Sequence, residues 1–174
     1  MRAPLKRYYL KSILPGLLYI GLVVAAYVLE PSVSSQTAKA GLAVLPMLPL
    51  LASLLAGPFL FGGRYFVALL NALFGRREHL RARIAGIAHF AAACHWARTL
   101  RQAAEPVTHI HSQWAHSCGT IAMYGGWLLD VPFSFTGHAT DLFRDRCALE
   151  DKIRRADFIV CISEFHRSFY LENG

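Results

Sequence analysis

From residue 107 onward, short apolar runs alternate with helical patterns, and this alternation limits the fold more than any other feature of the chain. "VTHIHSQW" has the character of a strand and "SCGTIAMYGGWLLD" that of a packed helix. "VPFSFTGHA" is again strand-like, "CALEDKIRRA" helical, "DFIVCIS" strand-like, and "EFHRSFYLE" opens a further helix. Strands that alternate with helices across short links build a parallel sheet flanked by helices. The expected class is α/β, a partial Rossmann-like parallel sheet.

Upstream the pattern is helical. Residues 64–74 and 78 to about 103 form two segments separated by Gly75, the second ended by Pro106. In the second, Leu80, Ile84, Ile87, Ala91 and Cys94 recur at three- and four-residue steps. Arg81, Arg83 and His89 fall elsewhere on the wheel, so the apolar set is expected to be the packed face of an amphipathic helix.

The first sixty residues differ in kind. Residues 12–29 and 40–63 carry no charge, and each approaches the roughly 20 apolar residues that cross a bilayer. The first follows Arg2, Lys6, Arg7 and Lys11, a basic flank typical of the inner side of a membrane. Pro15, Gly16 and Gly21 interrupt the first run, and Pro46, Pro49 and Pro58 the second. Residues 22–29 read equally as a buried strand stopped by Glu30 and Pro31, and 32–37 as a polar loop. The organisation expected is an apolar region, 1–63, with helical or strand segments that associate with a membrane, followed by an α/β domain, 64–174.

With 55% hydrophobic and 17% charged residues, some of this chain is deeply buried or meets lipid. The net charge of +7 suits an anionic surface or a phosphorylated ligand. Its basic clusters (Arg76, Arg77, Arg81 and Arg83; Arg144, Arg146, Lys152, Arg154 and Arg155) lack the interleaved aromatics that stack nucleic-acid bases, so nucleic acid is not an expected partner. The four cysteines form no Cys-x-x-Cys pair, so neither a zinc knuckle nor a disulfide framework is expected, which suits a reducing compartment.

Open α/β sheets bind ligands beyond the carboxyl ends of their strands. Here those turns are "HSQWAHS", "TGHATD" and "SEF". His109 and His111, two apart, share one face of a strand, and with His116 they offer three imidazoles to a metal. No spaced carboxylate or cysteine completes a tetrahedral set, so no metal site is expected. His138 follows an apolar strand through Thr136 and Gly137, a glycine that lets the backbone turn, and precedes Asp141. It either projects into a cleft to donate to a charge on a leaving group or caps the next helix. Ser163 is the expected N-cap of the last helix, and Glu164 is placed to accept hydrogen bonds from a sugar or a neighbouring domain.

The runs "HIHSQWAHSCGTIAMYGGWLLDVPFSFTGHATDLF" and "LEDKIRRADFIVCISEFHRSFY" resemble the amino-terminal domain of family 4 glycosyltransferases of the GT-B fold, those that build exopolysaccharides such as colanic acid. The resemblance covers residue 64 to the end and reaches weakly back to "GLVVAAYVLEPS". Gln113 stands where relatives carry another histidine, and Thr140 where they often carry lysine, differences that bear on the acceptor.

The resemblance implies transfer of a sugar from a nucleotide-diphosphate donor to a saccharide or lipid-linked acceptor, with retention and without a bound metal or other cofactor. His138 would lie beside the donor sugar and leaving phosphate. His111, His116 and Asp141 would line the acceptor side. It also implies a carboxy-terminal donor-binding domain that these residues do not include, and work at the cytoplasmic side of an anionic membrane. Two other classes compete: a non-catalytic, membrane-anchored α/β binding module, and a metal-dependent hydrolase using His109, His111 and His116.

Overall fold

The alternation beyond residue 107 appears as three parallel strands and their connecting helices. The computed structural model describes residues 48–77, 79–138, 141 and 147–173. The uncharged run 12–29, the strand expected at 22–29 and the loop at 32–37 lie outside the described residues. Leu50–Gly174 is one compact unit.

Helix α1 (Leu48–Phe61) is followed by α2 (Gly63–Phe74) and the long α3 (Leu80–Arg101). Then come β1 (Ile110–Ser112), α4 (Ser117–Leu129), β2 (Phe133–Gly137), α5 (Leu149–Arg155), β3 (Phe158–Cys161) and α6 (Glu164–Asn173). The sheet order is β1-β2-β3, with Ile110 opposite Phe133 and Ser134 opposite Phe158. Alternation along the strands therefore puts Ile110, Phe133 and Phe135 on one face. Helices α4 and α6 cover that face: Tyr170 of α6 meets Phe135 edge-on at 5.9 Å, and Gly126 of α4 lies over Phe133. The opposite face carries His111, Ser134, Thr136, Phe158 and Val160, of which His111, Phe158 and Val160 are exposed.

The helix ends follow local chemistry. Asp130 ends α4 in the left-handed region (φ 61°), a conformation that aspartate tolerates, and the Val131 amide donates to the Gly126 carbonyl at 3.0 Å. His79 begins α3, its Nδ1 accepting from the Ala82 amide. Proline interrupts α1 less than expected. Pro49 occupies the first turn, where its missing N–H is unpaired in any helix, and the helix continues through Pro58. Among the described residues no helix is long and apolar enough to cross a membrane.

Gly137 differs from expectation in its reason. It lies within β2 and has no positive φ. A side chain there would collide with the Tyr170 ring and hydroxyl, so close packing requires the glycine rather than a turn.

The packed face of α3 also differs. Its buried residues are Ala82, Gly86, Phe90, Ala93, Cys94, Ala97 and Leu100, whereas Leu80, Ile84 and Ile87 are exposed. Of the expected apolar set only Cys94 is fully inside. The cause is proximity: Gly86 sits near the Ala72 carbonyl of α2, and Phe90 fills the remaining space between Tyr65 and Tyr124 at 5.2 and 5.7 Å. Larger aliphatic side chains would hold these helices apart.

Two of the clustered cations are also inside. The Arg77 side chain is fully buried, donating to Asp151 Oδ2 at 2.9 Å, Asn71 Oδ1 at 3.1 Å and the Tyr124 hydroxyl at 3.0 Å. Lys152 of α5 is fully buried as well. His89 of α3 faces Cys147 Sγ at 3.7 Å, and its imidazole is pushed down to about 4, first by burial and then by Lys152 and other basic side chains nearby.

A neutral His89 is therefore part of the native state. As pH falls through 6.5 the unfolded chain takes up this proton before the native one, so stability present above 6.5 is lost down to about pH 4. The expected loss is up to about 3 kcal/mol. Urea unfolding of wild type and His89→Gln across this range should show the gap between them closing by that amount on acidification. A constant gap would contradict the assignment.

Candidate functional site

The carboxyl ends of β1 and β2 run into two turns that one carboxylate ties together. After β1, Ser112 Oγ donates to the Trp114 carbonyl at 2.8 Å and folds residues 113–116 tightly before α4. A Cβ on Gly119 would sit 2.8 Å from that same carbonyl oxygen, so the turn rests directly on the first turn of α4. His116 is the N-cap, its Nδ1 accepting from the Ser117 amide at 2.6 Å.

Lys152 supports this turn from below. Its Nζ donates to the Ala115 carbonyl, to the His116 carbonyl at 3.2 Å and to Thr120 Oγ1 at 3.2 Å. Burial pushes the ammonium down to about 8, opposed by Cys147 and Asp141. At neutral pH it is charged, and carbonyl oxygens supply much of its solvation.

Asp141, itself buried, accepts through Oδ2 from the Ala115 amide at 2.9 Å and from the His138 amide at 3.4 Å. One carboxylate oxygen thus holds the β1–α4 turn and the end of β2 together. Its other oxygen, Oδ1, is buried without a hydrogen bond, 3.7 Å from His116 Nε2. Above the clamp, the His138 ring lies 4.5 Å from that of Trp114, and its Nε2 is 3.1 Å from the Gln113 carbonyl. A carbonyl only accepts, so Nε2 carries the proton and donates it.

His116, His138 and Asp141, all anticipated, are brought together here. His111 is not part of this cluster. Its Nδ1 lies 2.8 Å from Ser134 Oγ and its Nε2 3.1 Å from Thr136 Oγ1, on the open face of the sheet. His109 shares that face, as the two-residue spacing predicts, 2.7 Å from the same Ser134 Oγ and stacked 5.5 Å from Phe158. The three histidines of "HIHSQWAH" therefore divide between two places and do not converge. Among the described residues no group of three or more His, Cys, Asp or Glu side chains is placed to hold a metal ion.

Ser163 accepts from the His166 amide at 3.3 Å, as an N-cap does. Glu164 is exposed and faces Arg167 at 3.7 Å, away from the cluster. Trp114 and Lys152 were missed. An aromatic residue in a strand-to-helix turn was the available clue for Trp114. For Lys152 it was the helical step from Leu149 through 152 to Ile153 and Ala156, which places it on the packed side of α5.

The cluster can present an imidazole N–H, an exposed indole and the partial positive charge at the start of α4 to a ligand bearing hydroxyls or an anion.

Lys152→Met keeps the volume and removes the donor, leaving the Ala115 carbonyl unpaired in the interior, while the His116 carbonyl keeps the Thr120 amide and hydroxyl at 3.1 Å. It should lower stability by about 2–4 kcal/mol in denaturant unfolding. It should also free Trp114, seen as a shift in its fluorescence. Unchanged stability and emission would show that the turn stands without the lysine.

No protein-family model, curated protein or solved structure matches the chain.

Proposed function

We propose that this chain is the acceptor-side half of a retaining GT-B glycosyltransferase. It would move a sugar from a nucleotide-diphosphate donor to a saccharide or lipid-linked acceptor at the cytoplasmic side of an anionic membrane. The observation that carries the reading is the Asp141 clamp, which sets His138 over Trp114 where the strands of an open α/β sheet end.

In this reading His138 is the catalytic residue. Its Nε2 proton, resting on the Gln113 carbonyl, turns to the donor when the cleft fills and is given as a hydrogen bond to the charge growing on the leaving phosphate. Trp114 offers an apolar face for a sugar ring. His116 and Asp141 border the acceptor; Asp141 acts mainly by positioning, since its Oδ2 is spent on backbone amides. The nucleotide is gripped by a donor domain or partner beyond these 174 residues.

One observation favours a second reading, a non-catalytic binding module. His138 Nε2 is already satisfied by Gln113, so the ring is held without any substrate.

Transfer of radiolabelled sugar from UDP- and GDP-sugars into lipid and saccharide acceptors separates the two. The assay uses membranes of the source cells carrying either wild type or His138→Ala in place of the native gene. The transferase reading expects incorporation to fall about 10²–10³-fold while the thermal midpoint moves little. Equal incorporation by a folded His138→Ala protein would leave the binding module standing.

A further inference from the structure

We propose that the outward faces of α1, α2 and α3 are a lipid-inserting surface that seats the protein in the plane of an anionic bilayer. The inference rests on the membrane part of the reading above and owes nothing to its transferase chemistry.

Beside a buried aromatic in each, Phe61, Tyr65 and Phe90, these helices turn small residues inward and large apolar ones outward. In α1 the buried residues include Ser53 and Gly57, while Leu55 and Phe59 are 76% and 92% exposed. In α2, Ala68 and Ala72 are inside, and Leu70 and Phe74 outside. In α3, Gly86 and Ala93 are inside, and Leu80 and Ile84 outside. Exposed pairs four residues apart lie on one side of a helix. A water-facing helix places polar residues there, and three successive helices doing the reverse exceed the scattered apolar exposure of an ordinary surface.

Charge identifies the occupant. Residues 48–104 contain seven arginines and one acidic residue, Glu78, whereas residues 105–174 contain six Lys and Arg against nine Asp and Glu. The half with outward leucines and phenylalanines is thus strongly positive, and the half with the sheet is negative. Arg76, 3.7 Å from Glu150 in the link before α3, and Arg81, between the outward Leu80 and Ile84 in the sequence of α3, are both exposed. Apolar insertion flanked by arginine is the chemistry of an interface rich in anionic headgroups. A second protein surface would have to be apolar and acidic at once. Among the described residues no helix is long and apolar enough to cross a bilayer, so the contact inferred here lies in the plane of the interface.

The test is flotation of the full chain with vesicles of equimolar phosphatidylglycerol and phosphatidylcholine, and with phosphatidylcholine alone. Leu70→Glu/Ile84→Glu changes only exposed positions and should lower partition about tenfold or more with circular dichroism and thermal midpoint unchanged. Arg76→Ala/Arg81→Ala should lose about fivefold per arginine, on the anionic vesicles only. If the glutamate variant floats as wild type does, this surface is not the contact, although the protein still meets membrane through another segment. If wild type floats with neither vesicle, the inference falls together with the membrane part of the function, and the His138 assay still decides the chemistry. If light scattering finds a wild-type dimer that the glutamate variant abolishes, with vesicle binding unchanged, the surface meets a second copy and the inference is overturned.

Discussion

Two adjacent residues of one seven-residue helix connect the helical layer to the strand ends. Asp151 of α5 accepts from Arg77 and from Asn71 Nδ2 at 3.1 Å, fastening α5 to α2 and to the link before α3. Lys152 holds the turn between β1 and α4. Both cations are removed from water, and such burial is tolerated only when hydrogen bonds replace the lost solvation. Arg77 finds a carboxylate, an amide oxygen and a phenol; Lys152 finds two carbonyls and a hydroxyl. Either set forms only when α5 docks in one orientation, so the desolvation penalty selects the geometry.

That geometry is what the second clamp requires. Asp141 joins the Ala115 and His138 amides only if the β1–α4 turn is already at the height at which Lys152 holds it. Ala115 is the shared element, its carbonyl taken by Lys152 and its amide by Asp141. With both backbone groups of one residue fixed, Trp114 and His116 on either side have little freedom. The Asp141 Oδ1 left without a partner beside His116 is the one unsettled point of the cluster.

The elements of the C-terminal part were legible because each is brief and sharply bounded. The helix expected from "SCGTIAMYGGWLLD" is observed as Ser117–Leu129, and the strand in "DFIVCIS" as Phe158–Cys161. His138, His116 and Asp141 were legible because strand ends are where an open sheet puts its ligands. His111 lies apart from the cluster because it is the middle residue of a three-residue strand and sits on the open face beside Ser134. The packed face of α3 was not legible because hydrophobic periodicity finds the largest apolar residues, and here close approach chose the smallest. Arg77 and Lys152 were hidden because their partners, Tyr124, Asp151 and the Ala115 carbonyl, lie in other elements, which no local pattern records.

Small residues inside the helices account for both unusual features at once. Gly86 lets α3 approach the Ala72 carbonyl, Gly119 lets α4 approach the Trp114 carbonyl, and Gly125 meets the face of Trp96. Backbones this near bring carbonyl oxygens within reach of a buried ammonium or guanidinium, which bulky side chains would have screened. The same choice leaves little interior volume for large aliphatic side chains, so Leu55, Leu70, Leu80, Ile84 and Ile87 stand outside. A core that cages two cations and a surface that is apolar where it ought to be polar are therefore consequences of one packing rule. Enlarging an inner residue such as Ala72 would disturb the cages before it disturbed the sheet, because a cage depends on hydrogen-bond distances while the sheet's covered face is held by the aromatic contacts of Phe133, Phe135 and Tyr170.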